Sequence, residues 1–147
     1  MQATYEDANL ILRLYELRRE ETLRQARSWF TGKFSAANAE EMMQKYPFGS
    51  QENGYIRMVI SYWDMACSFV TSGVLNQELL FQSGGEMLIV WEKIRPLAEG
   101  MRKLTGNARA WANLEKVANE YIKFMGPEAY AGFQAIIGRI SASVGQS

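Results

Sequence analysis

The sequence predicts an all-α fold, a single-domain bundle of about six or seven helices around a central helix at 55–72. Three observations carry this reading. Apolar residues recur at spacings of three and four, and no stretch alternates with the period of two that a strand ladder needs. The segments so marked stop at Gly32, Pro47, Gly73, Gly106 and Gly126, residues that end helices. Finally, the 55–72 segment is apolar nearly all round: at about 100° per residue, its polar set of Arg57, Ser61, Asp64, Ser68 and Thr71 covers roughly a third of the circumference. Such a helix needs neighbours on several sides. The 147 residues suit one domain, assigned to 1–140, and the small polar tail at 141–147 is expected to fray.

The first helix starts at Thr4, an N-cap with Asp7 three residues on, and runs to about residue 31, where Gly32 closes it. Its apolar side comprises Ala8, Ile11, Leu12 and Tyr15, then Leu23, Ala26, Trp29 and Phe30. The mixed-sign run at 16–21 between them reads as a solvated face. A short second helix is capped by Asn38, with Glu41 completing a capping box, carries Met42, Met43 and Tyr46, and ends at Pro47. Residues 47–54 read as a loop. After the central helix, Asn76 caps a brief helix through Leu79, Leu80 and Phe81, and Ser83-Gly84-Gly85 breaks the chain.

A long helix at about 86–104 follows, its buried side reading Met87, Val90, Trp91, Ile94, Leu97, Ala98, Met101 and Leu104. Pro96 inside it removes one backbone hydrogen bond and should kink it. The sixth helix, about 108–125, shows the stripe Trp111, Leu114, Ala118, Tyr121 and Met125. Gly126 and Pro127 stop it and restart a seventh, which carries Tyr130, Phe133, Ile136, Ile137 and Ile140.

Composition narrows the function classes. Sixteen basic and sixteen acidic residues balance, so nothing in the total charge draws nucleic acid. Arg13, Arg18, Arg19, Arg24, Arg27 and Lys33 cluster on the first helix, but Glu16, Glu20 and Glu21 interleave with them. No nucleic-acid partner is therefore expected. Histidine is absent, which removes the commonest general base and metal ligand. A helical dinuclear centre built from Glu-x-x-His pairs is excluded; no metal and no cofactor are expected. The adjacent pairs Glu20-Glu21 and Glu40-Glu41 read as surface charge. The one cysteine, Cys67, lies on the apolar side of the central helix and reads as a small buried filler. No signal peptide pattern opens the sequence, and the longest uncharged stretch, 65–77, is too short for a transmembrane segment. A cytoplasmic protein is expected.

Two places remain where chemistry is conceivable. The amides of Ser83-Gly84-Gly85-Glu86 open a helix and so face an anion, although neither the P-loop nor the dinucleotide spacing is present. The polar stripe of the central helix is either its wetted edge, the favoured reading, or the wall of a pocket. In the pocket version, Arg57, Trp63, Asp64, Trp91 and Arg95 line a ligand site between the helices at 55–72 and 86–104. Ser61 has only Asp64 nearby as a base, too little for a hydrolase. Four Trp, seven Tyr, seven Phe and eight Met are many for a chain of this length; most sit on helical stripes and read as core, and some surplus suits a groove or dimer interface.

The run Trp91-Glu92-Lys93-Ile94-Arg95-Pro96, followed by Arg102, resembles a group of small bacterial helical proteins classed as a domain of unknown function. The likeness covers about 8–103. It implies an all-α fold and a cytoplasmic or membrane-adjacent setting, and it brings no catalytic residue. The expected function is a non-enzymatic helical module that acts by protein contact, as a homodimer or with another protein. The alternative is a small-molecule-binding or regulatory protein using the pocket above.

Overall fold

Thr4 starts the first helix as its spacing from Asp7 predicts. In the computed structural model, which describes residues 2–145 and side chains as far as Ile140, the Thr4 hydroxyl accepts from the Asp7 amide. The Asp7 carboxylate in turn accepts from the Thr4 amide at 2.8 Å. The other Asp7 oxygen accepts from the Asn76 amide at 2.8 Å, tying the start of the chain to a distant turn. These amides hold the Asp7 carboxyl below its ordinary range.

The first helix does not run through to residue 31. It is divided into α1 (Tyr5–Arg18) and α2 (Glu21–Lys33). The carboxylate of Glu20 causes the break, accepting from the amides of Thr22 and Leu23 at 3.0 and 2.9 Å and so capping α2. One member of the charged run is thus a structural cap rather than plain surface charge. At the far end of α2, the Lys93 ammonium donates to the carbonyls of Phe30 and Phe34 at 3.1 and 3.0 Å. Burial pushes that ammonium down to about 8.

Helix α3 (Ala39–Lys45) is capped by Asn38, whose side chain accepts from the Glu41 amide. Glu41 reaches one residue further out than a capping box requires and accepts from the Ala37 amide. Helix α4 (Gln51–Thr71) starts earlier than expected because Ser50 caps it, accepting from the Asn53 amide at 3.2 Å. Gly54 therefore lies inside the helix rather than in the loop. After Gly73, with φ +79°, come α5 (Gln77–Ser83), capped by Asn76, and α6 (Gly85–Ile94).

Pro96 does more than kink the long helix expected over 86–104. A 3-10 turn, Arg95–Leu97, separates α6 from α7 (Ala98–Thr105), which closes at Gly106 with φ +71°. The sixth helix begins later than residue 108: residues 107–111 form a turn and Trp111 takes φ +63°. Trp111 is thus not part of the helical stripe. Helix α8 (Ala112–Gly145) is interrupted at Gly126, where φ is 85° and ψ 164°, giving a limb at 112–125 and a second limb at 127–145. Pro127 restarts the helix. Helical backbone continues to Gly145; the rest of the tail expected to fray, Gln146 and Ser147, lies outside the described residues.

Among the described residues the architecture is all-helical, without strands. Helix α4 lies at its centre, packed by α2 and α8, while α6 closes the core against α8. Ile56, Val59, Trp63, Ala66 and Cys67 of α4 are all at most 1% exposed, so the apolar helix is central as read. Around them pack Phe30, Met87, Leu88, Ile94, Leu97 and Leu114. The Cys67 sulfur meets the Met87 sulfur at 3.1 Å, and burial pushes its thiol pKa up, the behaviour of a core filler. No helix among the described residues is long and apolar enough to cross a membrane.

Candidate functional site

The polar stripe of α4 is neither wholly wet nor wholly buried. Arg57 and Ser61 are exposed, and Asp64, Ser68 and Thr71 are half-buried. Three members, Arg57, Ser61 and Asp64, form one wall of a cleft of about 450 Å³. Its far wall is the end of α7 and the connection to α8. Ile56, Ile60, Met42, Met101 and Trp111 supply apolar surface, and Arg57, Asp64 and Arg109 bring charge. A volume of this size suits a small ligand, and the mixture of apolar walls with a few polar groups is typical of one.

Each wall is held by local chemistry. Asn53 is fully buried and donates to the Tyr46 carbonyl at 2.9 Å, while its side-chain oxygen accepts from Arg57 Nε at 3.1 Å. Arg57 is thereby aimed along α4 instead of reaching Asp64. An Asp64 oxygen accepts from the Leu114 amide at 2.9 Å, so a side chain from α4 caps α8. Arg102 secures the connection: Nε donates to the Ala110 carbonyl at 2.9 Å and Nη2 to Glu115 at 3.2 Å. Ser61 donates to the Met58 carbonyl and has no contact with Asp64. The pair is thus not arranged as nucleophile and base.

Of the five residues read as a ligand lining, Arg57 and Asp64 come together in this cleft. Trp63, Trp91 and Arg95 do not join them. Trp63 and Trp91 are core residues, 1% and 4% exposed, on the apolar side of their helices. Arg95 lies at the surface, where it donates to Glu92 at 3.1 Å and to the Tyr130 hydroxyl at 2.7 Å. Arg109 and Trp111 are lining residues that the sequence reading missed. They reach the cleft only through the turn at 107–111, for which helical periodicity gives no sign.

The indole of Trp63 opens onto a second cluster. Trp63 Nε1 donates to Glu86 at 3.2 Å, and Arg27 Nε donates to the same carboxylate oxygen at 2.8 Å. Arg27 also donates to the Arg18 carbonyl at 3.0 Å, and the Arg18 guanidinium stacks over the Trp63 ring at 5.1 Å. Beside them the Tyr62 hydroxyl donates to the Leu14 carbonyl, and burial pushes it up to about 12. Glu86 therefore joins α2, α4 and α6, a role the sequence hinted at only through the acidic residue after Gly84-Gly85.

Capping of α8 by Asp64 sets the expected result of Asp64→Ala. Loss of an N-cap acceptor costs about 1–2 kcal/mol. That is more than an exposed carboxylate on a free surface would show and less than a buried ion pair would. Urea unfolding followed by circular dichroism measures it. A loss within about 0.5 kcal/mol would mean that the Leu114 amide finds water as good a partner.

The chain belongs to the family described as Domain of unknown function (DUF4760), whose model matches residues 3–121. The stretch from Trp91 to Arg102 that carried the resemblance lies inside that span, as do both walls of the cleft. No curated protein and no solved structure matches the chain.

Proposed function

We propose that this protein acts by contact rather than by catalysis, as a homodimer paired through the second limb of α8. The observation that carries the reading is the character of that limb. Residues 127–145 form a helix roughly 28 Å long, starting past the end of the family match. Its inner side is used: Phe133 packs on the core and the Tyr130 hydroxyl bonds Glu92. On the same side as Phe133, its apolar stripe runs on to Ile136 and Ile140, one turn apart and left 56% and 37% exposed. A limb whose apolar stripe is only partly covered gains by pairing.

The occupant that fits is a second copy. Glu128 and Arg139 are the charged residues of the limb. They fall on one side of it, about three turns apart, along one edge of the isoleucine ridge. In an antiparallel pair centred near Phe133, each Glu128 lies opposite the other copy's Arg139, a self-complementary two-fold arrangement. The free, buried Cys67 fits a reducing compartment, and a cytoplasmic setting is part of the reading.

Sedimentation velocity over the micromolar range is the test. The expected mass is twice the 16.7 kDa chain. Ile136→Glu with Ile140→Glu should yield monomer, and Glu128→Arg should weaken a dimer that the added Arg139→Glu restores. A strict monomer, or a dimer indifferent to these changes, would sink the proposal.

The α4–α7 cleft supports a second reading, a small-molecule binder, because its 450 Å³ volume is apolar-walled with Arg57 and Asp64 at one side. Fragment binding seen by NMR at Ile60 and Trp111 would favour it. Binding confined to other surfaces would count against it.

A further inference from the structure

The chain as a whole is neutral, but its arginines are not evenly spread. Arg18, Arg19, Arg24 and Arg27 converge on one shallow cleft of about 330 Å³, whose remaining lining is Tyr15 and Ser83. Among the described residues no carboxylate lines it. The fold produces this concentration. The break at Glu20 sets the end of α1 against the start of α2, so arginines that a continuous helix would spread over several faces point into one space. The acidic neighbours are drawn elsewhere: Glu20 is held by the α2 amides, and Glu86 meets Arg27 from the other side.

The guanidiniums are underused. Among the described residues, Arg27 alone of the four is in an ion pair. Arg18 Nε is buried and has no hydrogen-bond partner among the described residues, while its flat face rests on Trp63 and Tyr15 at 5.1 and 5.5 Å. Arg19 lies over the Tyr15 ring at 6.0 Å, and neither it nor Arg24 meets a carboxylate among the described residues. Like charges gathered this way repel one another, and an anion between them turns that repulsion into attraction.

The opposite rim, Ser83, brings no negative charge. Ser83 leads into Gly84 and Gly85, where α6 begins with no side chain capping it. A Cβ on Gly85 would meet nothing within 4 Å, so its backbone is open to close approach. A Cβ on Gly84 would come to 2.7 Å from the Leu80 carbonyl oxygen, so that position accepts only glycine without a shift. The start of a ten-residue helix carries partial positive charge.

We propose that this cleft binds a phosphoryl group, with Arg19 and Arg24 as the adaptable clamps, Arg18 as the fixed one and Ser83 as a hydroxyl donor. Forked guanidinium donors match the oxygens of a phosphate, which is why arginine rather than lysine suits the role. The half-exposed Tyr15 ring gives a flat wall beside them. The phosphoryl group is that of a free phosphate, a nucleotide or a lipid headgroup. This site is separate from the α8 dimer surface and stands or falls without it.

The test titrates the full chain with inorganic phosphate, with a nucleoside triphosphate, and with phosphatidylglycerol vesicles against phosphatidylcholine ones, using calorimetry and, for vesicles, co-sedimentation. Saturable binding in at least one arm is expected, and the strongest arm identifies the source. Arg19→Gln with Arg24→Gln should weaken it at least about tenfold; both side chains are exposed and leave the core untouched. Ser83→Asp, which brings a like charge, should weaken it as well, whereas Arg57→Gln in the other cleft should not. No saturable binding in any arm, or binding that these substitutions leave unchanged, overturns the proposal.

Discussion

Trp63→Ala should destabilise the protein by about 3–5 kcal/mol, the range for removing a large aromatic from a packed interior. The ring is 1% exposed at the middle of α4. It meets Tyr62 edge-on at 5.0 Å, carries the Arg18 guanidinium at 5.1 Å and donates to Glu86 at 3.2 Å. Alanine removes the packing of two neighbouring helices, leaves a void, and deprives Glu86 of one of its donors. Domains of this size hold together by about 5–15 kcal/mol, so the variant should stand close to unfolding at room temperature. Trp63→Phe separates the contributions: it keeps most of the volume and loses the indole donor, and should cost about 1–2 kcal/mol. Circular dichroism through a urea titration is the right measurement, since Trp63 is itself one of the four tryptophans that would report by fluorescence. A loss below about 1 kcal/mol for the alanine variant would mean that α4 is not the centre of the core.

That centrality was legible because it is a property of one helix. Residues 55–72 announce their surroundings through the narrowness of their own polar stripe, and no distant contact is needed to read it. The caps at Thr4, Asn38 and Asn76 were legible for the same reason, each a side chain acting on an amide three residues away. The break before α2 was not. No glycine or proline marks it, and glutamate is an uncommon N-cap. Beside the Glu20 cap, long-range ties hold α1 apart from α2: Asp7 anchors it to Asn76, and the Tyr62 hydroxyl bonds the Leu14 carbonyl. Trp111 misled for a related reason. Its spacing from Leu114 and Ala118 is helical, but Asp64 supplies the cap for α8 from another helix and lets the chain turn at 107–111. The candidate cleft was half legible. Arg57 and Asp64 share a face by local spacing, whereas Arg109 and Trp111 arrive through tertiary folding.

Glu86→Ala should cost about 2–4 kcal/mol, less than the loss of one partner in a fully buried ion pair because Arg27 keeps about a quarter of its side chain in water. The carboxylate oxygen accepts from both Arg27 and Trp63. Its removal leaves an indole N–H in the interior without an acceptor, and a guanidinium held only by the Arg18 carbonyl. Glu86→Gln keeps an acceptor and the side-chain volume and gives up the charge, so its loss should be about half as large. The two variants thus distinguish an electrostatic role from a hydrogen-bonding one. A double-mutant cycle with Arg27→Ala isolates the pair, and a coupling of about 0.5–3 kcal/mol is expected for side chains in direct contact. The same substitution has a second, opposite readout. Glu86 is the carboxylate that neutralises Arg27 beside the arginine cleft, and removing it frees a fourth guanidinium to face a guest. Glu86→Gln should therefore be less stable than the parent yet bind a phosphoryl group more tightly. Stability and affinity moving in opposite directions is the behaviour of a pair in which one carboxylate restrains a cation that a ligand would otherwise engage. If both fall together, Glu86 serves the fold alone and Arg27 has no share in the anion site.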